Sequence, residues 1–216
     1  MVHASRFIVL AVTKVGDSSV VVHTLSPEWG RRSFITGASG KASFALLQPL
    51  SLLEAEVVEN PRSDLWRLRS LSTDQPLQAL RSDIRKNSMT MFMSEVLYRT
   101  LREGEGGGAL FDWCRHSILT LNALESDFSN YHLRFLLELT GQLGFSAGLE
   151  DLAPFAGDYY GVLKELLQRD FAGSLLLPLN GEQRSSVAAL LIDYIGYHIE
   201  SQLDIRSLGV LRELFR

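Results

Sequence analysis

A single cysteine, Cys114, stands among the 216 residues, so no disulfide can close within the chain and no zinc site of several thiolates can be built. That usage fits a reducing compartment, and the cytoplasm is the expected location. Long apolar runs are also missing. The N-terminal MVHASRFIVLAVTK is uninterrupted only from Phe7 to Val12 and leads into strand-like sequence, so no signal peptide is expected. Nothing approaches the roughly 20 apolar residues of a membrane span. A third absence is excess positive charge: 21 Lys and Arg against 25 Asp and Glu leave a net charge of −4. Any surface for a polyanion must therefore be local.

Catalytic constellations are absent as well. TGASGKAS (36–43) approaches a phosphate loop but has Ile35 where the first Gly belongs and Ala42 where Ser or Thr belongs. It misses the nucleophile elbow because Lys41 replaces the second Gly. His3, His23, His116, His132 and His198 are scattered singly, without the i, i+4 pairing that holds a metal, and read as ordinary surface or core histidines. Cys114 lies on an apolar helical face, and Trp66 and Trp113 read as core. The chain is expected to be no enzyme, with no catalytic residue, no metal ligand and no cofactor.

What is present divides at Pro76. Residues 5–14, 18–26, 31–37, 50–59 and 64–72 are rich in β-branched and aromatic residues and are separated by Gly16-Asp17, Pro27-Glu28-Trp29-Gly30 and Asn60-Pro61-Arg62-Ser63. A helical turn fits 41–47. Five strands in that space predict a closed barrel of the OB type, with a sandwich as the competing arrangement. From Leu77 the period becomes helical: Leu80, Ile84, Met91, Phe92, Val96 and Leu101 in one segment, then Leu110, Phe111, Cys114, Ile118 and Leu121 after the flexible GEGGG at 104–108. The fold class is α+β, with an N-terminal five-stranded OB-type barrel (1–75) followed by an all-α helical domain (76–216).

The most apolar helix is YHLRFLLELTGQLGF (131–145). Phe128, Tyr131, Phe135, Leu136, Leu139 and Leu143 recur at helical steps, and Leu133 and Leu137 widen the stripe, so more than one neighbour must pack on it. Asp127 or Ser129 can cap its start, and Gly144 sits where a left-handed C-terminal cap falls. Later helices are expected near 162–171, at 182–202 after the break at Pro178–Gly181, and at the end, where Asp204 can cap.

Residues 29–41 contain Arg31, Arg32 and Lys41 and no acid, beside Trp29, with Arg6 and Lys14 available to join them. A cationic groove with aromatic platforms is how an OB barrel holds single strands, because phosphates supply affinity and every base offers a π face. A solvated hairpin with ordinary charges is the other reading of the same residues.

The segments FIVLAVTKVGDSSVVVHTLSPEWGR (7–31), LLQPLSLLEAEV (46–57), SEVLYRTLREGE (94–105), LRFLLELTGQLGF (133–145) and YHIESQLDIRSLGVLREL (197–214) occur in an order and at gaps that resemble the RecO family of bacterial DNA repair and recombination mediators. The resemblance implies binding of single- and double-stranded DNA, annealing of complementary strands and help in loading RecA. It also implies contact with RecR and with the C-terminal tail of single-strand binding protein, and a cytoplasmic, nucleoid-associated location. For the acidic tail, Arg134 beside Phe135 on the central helix is the expected anchor, with Leu80 as a wall; pairing of Arg134 with a structural acid is the other reading of that residue. Many members carry four zinc-binding cysteines after the segment matching Leu143 to Phe145 and a strongly basic run after the third strand. This chain has neither, keeping Lys41 alone of the basic run. Two other functions stay open: a helical adaptor whose barrel makes only protein contacts, and an OB-fold RNA-binding factor.

Overall fold

The computed structural model describes residues 2–37 and 41–215, and of 41–43 the backbone only. Its N-terminal part is a closed barrel in the order β1-β2-β3-β5-β4, built from β1 (Val2–Val15), β2 (Ser19–Ser26), β3 (Gly30–Gly37), β4 (Leu52–Val58) and β5 (Trp66–Gln75). β1 is long enough to serve two partners: residues 2–8 pair with β4 and residues 8–15 with β2, both antiparallel. The irregularity between Val9 and Ala11 marks where it changes partner, the usual place for a bulge to bend a strand. Closure is made by the parallel pairs Phe34 with Trp66 and Ile35 with Arg67. Helix α1 (Lys41–Leu46) lies between β3 and β4 in sequence.

Alternation explains the core. Phe7, Val9, Val20, Val22, Phe34, Leu53, Ala55, Val57 and Leu68 point inward from their strands and pack with Leu47. Ile8 and Leu10 on the other side of β1 are buried too, and Ser94 donates a 2.5 Å hydrogen bond to the Leu10 carbonyl. The hydrophobic run Phe7–Leu10 is thus a strand covered on both faces.

The rest is helical: α2 (Gln78–Ser82), α3 (Ile84–Thr100), α4 (Gly108–Ala123), α5 (Tyr131–Gln142), α6 (Leu149–Ala156), a 3₁₀ turn (Gly157–Tyr159), α7 (Tyr160–Gln168), α8 (Phe171–Leu175), α9 (Gly181–His198) and α10 (Ser207–Leu214). Two compact units result, one of residues 1–81 with 94–122, the other of 82–93 with 123–216, so α3 is shared between them. Among the described residues no helix is long and apolar enough to cross a membrane.

In the second unit α5 is buried along Tyr131, His132, Leu133, Phe135, Leu136, Leu137, Leu139 and Thr140 and packs on α8 and α9, as its wide apolar stripe requires. It ends as expected. Gly144 has φ +89°, and the amides of Phe145 and Gly144 donate to the carbonyls of Thr140 and Gly141, closing a Schellman turn.

Its start differs from the sequence expectation. Neither Asp127 nor Ser129 caps α5; Asn130 holds that position, and its side-chain amide instead donates to the carbonyls of Ser174, Leu175 and Leu177 at 3.2, 3.1 and 2.8 Å. Similarly, the segment expected as one helix from Leu80 to Leu101 breaks at Asp83, whose carboxylate accepts from the Arg85 amide at 2.8 Å and so opens α3. Ile84 and Met91 then fall on the wet side of α3, while Phe92, Val96 and Leu101 stay buried. α9 stops at His198 rather than near 202, because Glu200 turns left-handed (φ +54°) and the Ser201 amide returns to the Gly196 carbonyl. Asp204 pairs with Arg206 instead of capping α10.

Candidate nucleic-acid interface

The β2–β3 turn brings Trp29 onto the barrel mouth and ends at Gly30, whose φ is +59°. A side chain there would strike the backbone carbonyls of Glu105 and Gly106, so the position requires glycine on both counts. Within β3, Arg32 shares the inward side of Phe34 and Thr36, whereas Arg31 and Ser33 face out. The two arginines therefore serve different surfaces.

At the mouth, Trp29 lies parallel to Phe7 (6.2 Å between centroids, 7°) and edge-on to Trp66 (6.2 Å, 89°) and Phe34 (6.1 Å, 71°). Arg32 covers Trp66 at 3.7 Å and donates to the Asp64 carbonyl at 3.2 Å. Both indoles are half-buried on the core. A cation held over an aromatic face at a barrel opening is a fit for a phosphate beside a stacked base.

On the outer face, the Glu103 carboxylate accepts from Arg31 Nη1 at 2.8 Å, from the Ser33 amide at 2.9 Å and from the Ser33 hydroxyl at 3.3 Å. Tyr98 lies under the Arg31 guanidinium at 4.9 Å. Since the Ser33 proton goes to Glu103, Ser33 Oγ accepts from His23 Nδ1 at 2.9 Å, leaving Nε2 for the Thr13 hydroxyl at 3.1 Å. Burial, and then the charge of Arg31, lower the His23 pKa against the opposing pull of Glu103. The imidazole is thus neutral at pH 7.

A third surface was not among the sequence expectations. Arg67 and Arg69 alternate outward from β5, opposite inward Trp66 and Leu68, and border a cleft of about 350 Å³ with Thr36, Gly37, Leu46 and Ser70. Neither has an ion-pair partner among the described residues, although Glu56 faces Arg69 across the ladder and accepts from Ser70. The pattern WRLRS carried the signal, an aromatic and an aliphatic residue alternating with two arginines.

This barrel and the helices after it can be compared with known proteins. The family model described as Recombination protein O N terminal matches residues 1–76, and that described as Recombination protein O C terminal matches residues 81–153. The DNA repair protein RecO of Bacteroides fragilis is 32% identical over 236 aligned positions, covering 96% of this chain and 97% of that protein. The chain belongs to the RecO family. DNA repair protein RecO of Phocaeicola vulgatus (30% identical, 96% and 97% covered) and of Flavobacterium johnsoniae (29%, 98% and 98%) are similar in the same way.

The zinc site that many RecO proteins carry does not fit these residues. Cys114 is buried, with its thiol pushed well up by burial, and the described residues hold no grouping of three His, Cys, Asp or Glu side chains able to take a metal. After Phe145, an aromatic cluster occupies this part of the RecO chain instead: His198 stacks on Phe145 (4.6 Å, 10°) and meets Tyr194 and Tyr197 edge-on, and Phe155 packs on both tyrosines.

The remaining site expectations are dispersed over this RecO chain. Arg6 is exposed with its guanidinium 5.3 Å from the Phe111 ring centroid. Lys14 is exposed eight residues further along β1, at most roughly 26 Å away at strand spacing. Lys41 opens α1, but its side chain lies outside the described residues, as does most of the near-miss phosphate loop. Arg134 pairs with Glu138 one turn on, at 2.7 Å, and keeps a quarter of its side chain exposed. Phe135 is 2% exposed on the same helix, and Leu80, in the barrel-containing unit, is fully buried.

Proposed function

We propose that this RecO-family chain is a non-enzymatic recombination mediator in the cytoplasm, associated with the nucleoid, that binds single- and double-stranded DNA through its barrel. The observation that carries the reading is the aromatic mouth of Trp29 and Trp66 under Arg32, beside Arg67 and Arg69, which have no ion-pair partner among the described residues. Arg6, Lys14, Arg31 and Lys41 are further proposed DNA-contact positions. The mechanism is physical rather than covalent: neutralised phosphates let two strands approach, so complementary strands anneal, and docking on the tail of single-strand binding protein raises the local concentration of the annealer. RecR contact and help in loading RecA belong to the same reading. Arg134 and Phe135 on α5, and separately Leu80 on α2, are the proposed partner-contact positions. Arg134 is the cation among them, with a quarter of its side chain exposed, and Glu138 is the acid an incoming carboxylate must replace.

The test is titration of a labelled single strand at several salt concentrations. Each phosphate contact contributes about 0.7 to the slope of log affinity against log salt, so Arg67→Ala with Arg69→Ala should flatten it by about 1.4 without base preference. Trp29→Ala should cost about 1 to 3 kcal/mol of binding if a base stacks on the indole. A folded double variant with the parent's slope and annealing rate would remove β5 from the DNA path. A barrel devoted to protein contacts is the competing reading, favoured by the net charge of −4 and the occupied state of Arg31. It predicts no salt-dependent strand binding at all.

A further inference from the structure

The donors gathered on the outer face of β3 are those of an anion site, and the anion in it is the chain's own. Glu103 receives one guanidinium N–H, one backbone N–H and one hydroxyl, from Arg31 and Ser33. A phosphodiester carries the same single charge as a carboxylate and accepts from the same groups. We propose that Arg31 and Ser33 form a phosphodiester site for nucleic acid, and that Glu103 is an internal stand-in for the phosphate which DNA must displace. The proposal rests on the DNA-binding reading of the barrel and specifies one contact and its competitor.

Three features make the exchange feasible. The Arg31 head is preorganised: Tyr98 lies under it, and its side chain is only 15% exposed, whereas that of Glu103 is 54% exposed and open to a competitor from solvent. The loop carrying Glu103 does not depend on the carboxylate, because the Arg31 amide donates to the Glu105 carbonyl and the Gly104 amide to the Arg31 carbonyl, both at 2.7 Å. The Arg102 amide also bonds the Glu105 side chain at 2.9 Å. Rotation of one side chain therefore vacates the site while the strap stays on β3. Finally, the Ser33 hydroxyl is oriented from behind by His23, so its proton keeps pointing at whichever acceptor arrives.

The experiment compares the parent, Glu103→Gln, Arg31→Ala and the double variant for binding of a labelled oligothymidylate across a salt series, with a thermal melt of each. Glu103→Gln keeps the side-chain volume and removes the charge, so affinity should rise on the order of fivefold and the slope steepen by about 0.7. Arg31→Ala alone should change little, since Glu103 already neutralises it, but it should abolish the gain in the Glu103→Gln background. Glu103→Asp, which withdraws the carboxylate by one methylene, should move affinity in the same direction as Gln. Should the parent bind DNA while Glu103→Gln matches it in affinity and slope, or Arg31→Ala cost the same in both backgrounds, this inference is overturned and the barrel reading survives. If neither parent nor Glu103→Gln binds, both fall together.

Discussion

His132 lies fully enclosed in α5, edge-on to Phe92 at 5.9 Å and beside Phe215, with Nδ1 lacking a hydrogen-bond partner among the described residues. Burial, and then the positive charge of Arg184, push its pKa down to about 3, against the opposing pull of the Ser129 backbone, which accepts from the protonated ring. In the unfolded chain the imidazole titrates near 6.5. Below that value the unfolded chain takes up a proton that the folded chain refuses. The stability this group contributes is complete above about 6.5 and is lost as pH falls toward 3, at up to roughly 1.4 kcal/mol per pH unit. Urea midpoints at pH 7, 6 and 5 should show this decline, and His132→Phe should flatten it; an equal decline in the variant would assign it to other groups. The sequence marked His132 as an isolated histidine of the surface or the core, because no neighbouring ligand type made it anything else. Only the packing of Phe92 and Phe215 decides that it is core.

At the scale of elements, Asn130 shows how a cap residue can be diverted. Its side chain leaves the α5 amides and supplies the end of α8 with three hydrogen bonds, which joins two helices 44 to 47 residues apart. Asn130→Ala should cost about 2 to 3 kcal/mol, since buried carbonyls lose their donor. Asn130→Asp should cost at least as much, because a carboxylate cannot donate. Denaturant unfolding checks both, and an Asp variant as stable as the parent would show the amide to be unimportant. The GEGGG segment makes the same point from a loop. Its composition reads as flexible, yet the backbone of Glu105 pairs with that of Arg31 across the start of β3, and Gly106 lies against Leu25 and Leu110 with φ +90°, a conformation side chains rarely adopt.

For the whole molecule, the compact grouping is interleaved, since residues 94–122 pack with the barrel. Arg115 holds Asp74 at 3.2 Å, and Leu80 bonds Asn122 through its amide. We propose 1–75 and 76–216 as the functional modules nonetheless, with α4 as the barrel's own cover. A fragment 76–216 should give a mostly helical circular dichroism spectrum, and a barrel extended through residue 122 should melt above one ending at 75. A strand-dominated spectrum, or equal melting of the two barrel fragments, would count against that division. The closed barrel, the helices and their glycine stop at 144 were legible because alternation, helical period and turn chemistry are local, and local patterns survive in any context. The family was legible for the same reason, as five patterned segments in a fixed order. What each arginine touches was not. Arg31 and Arg32 are neighbours in sequence but take opposite faces of a strand, one on Glu103 from 72 residues away and one on Trp66. Their partners arrive only when the chain closes, because an ion pair is decided by distance in space and sequence fixes distance only along the backbone.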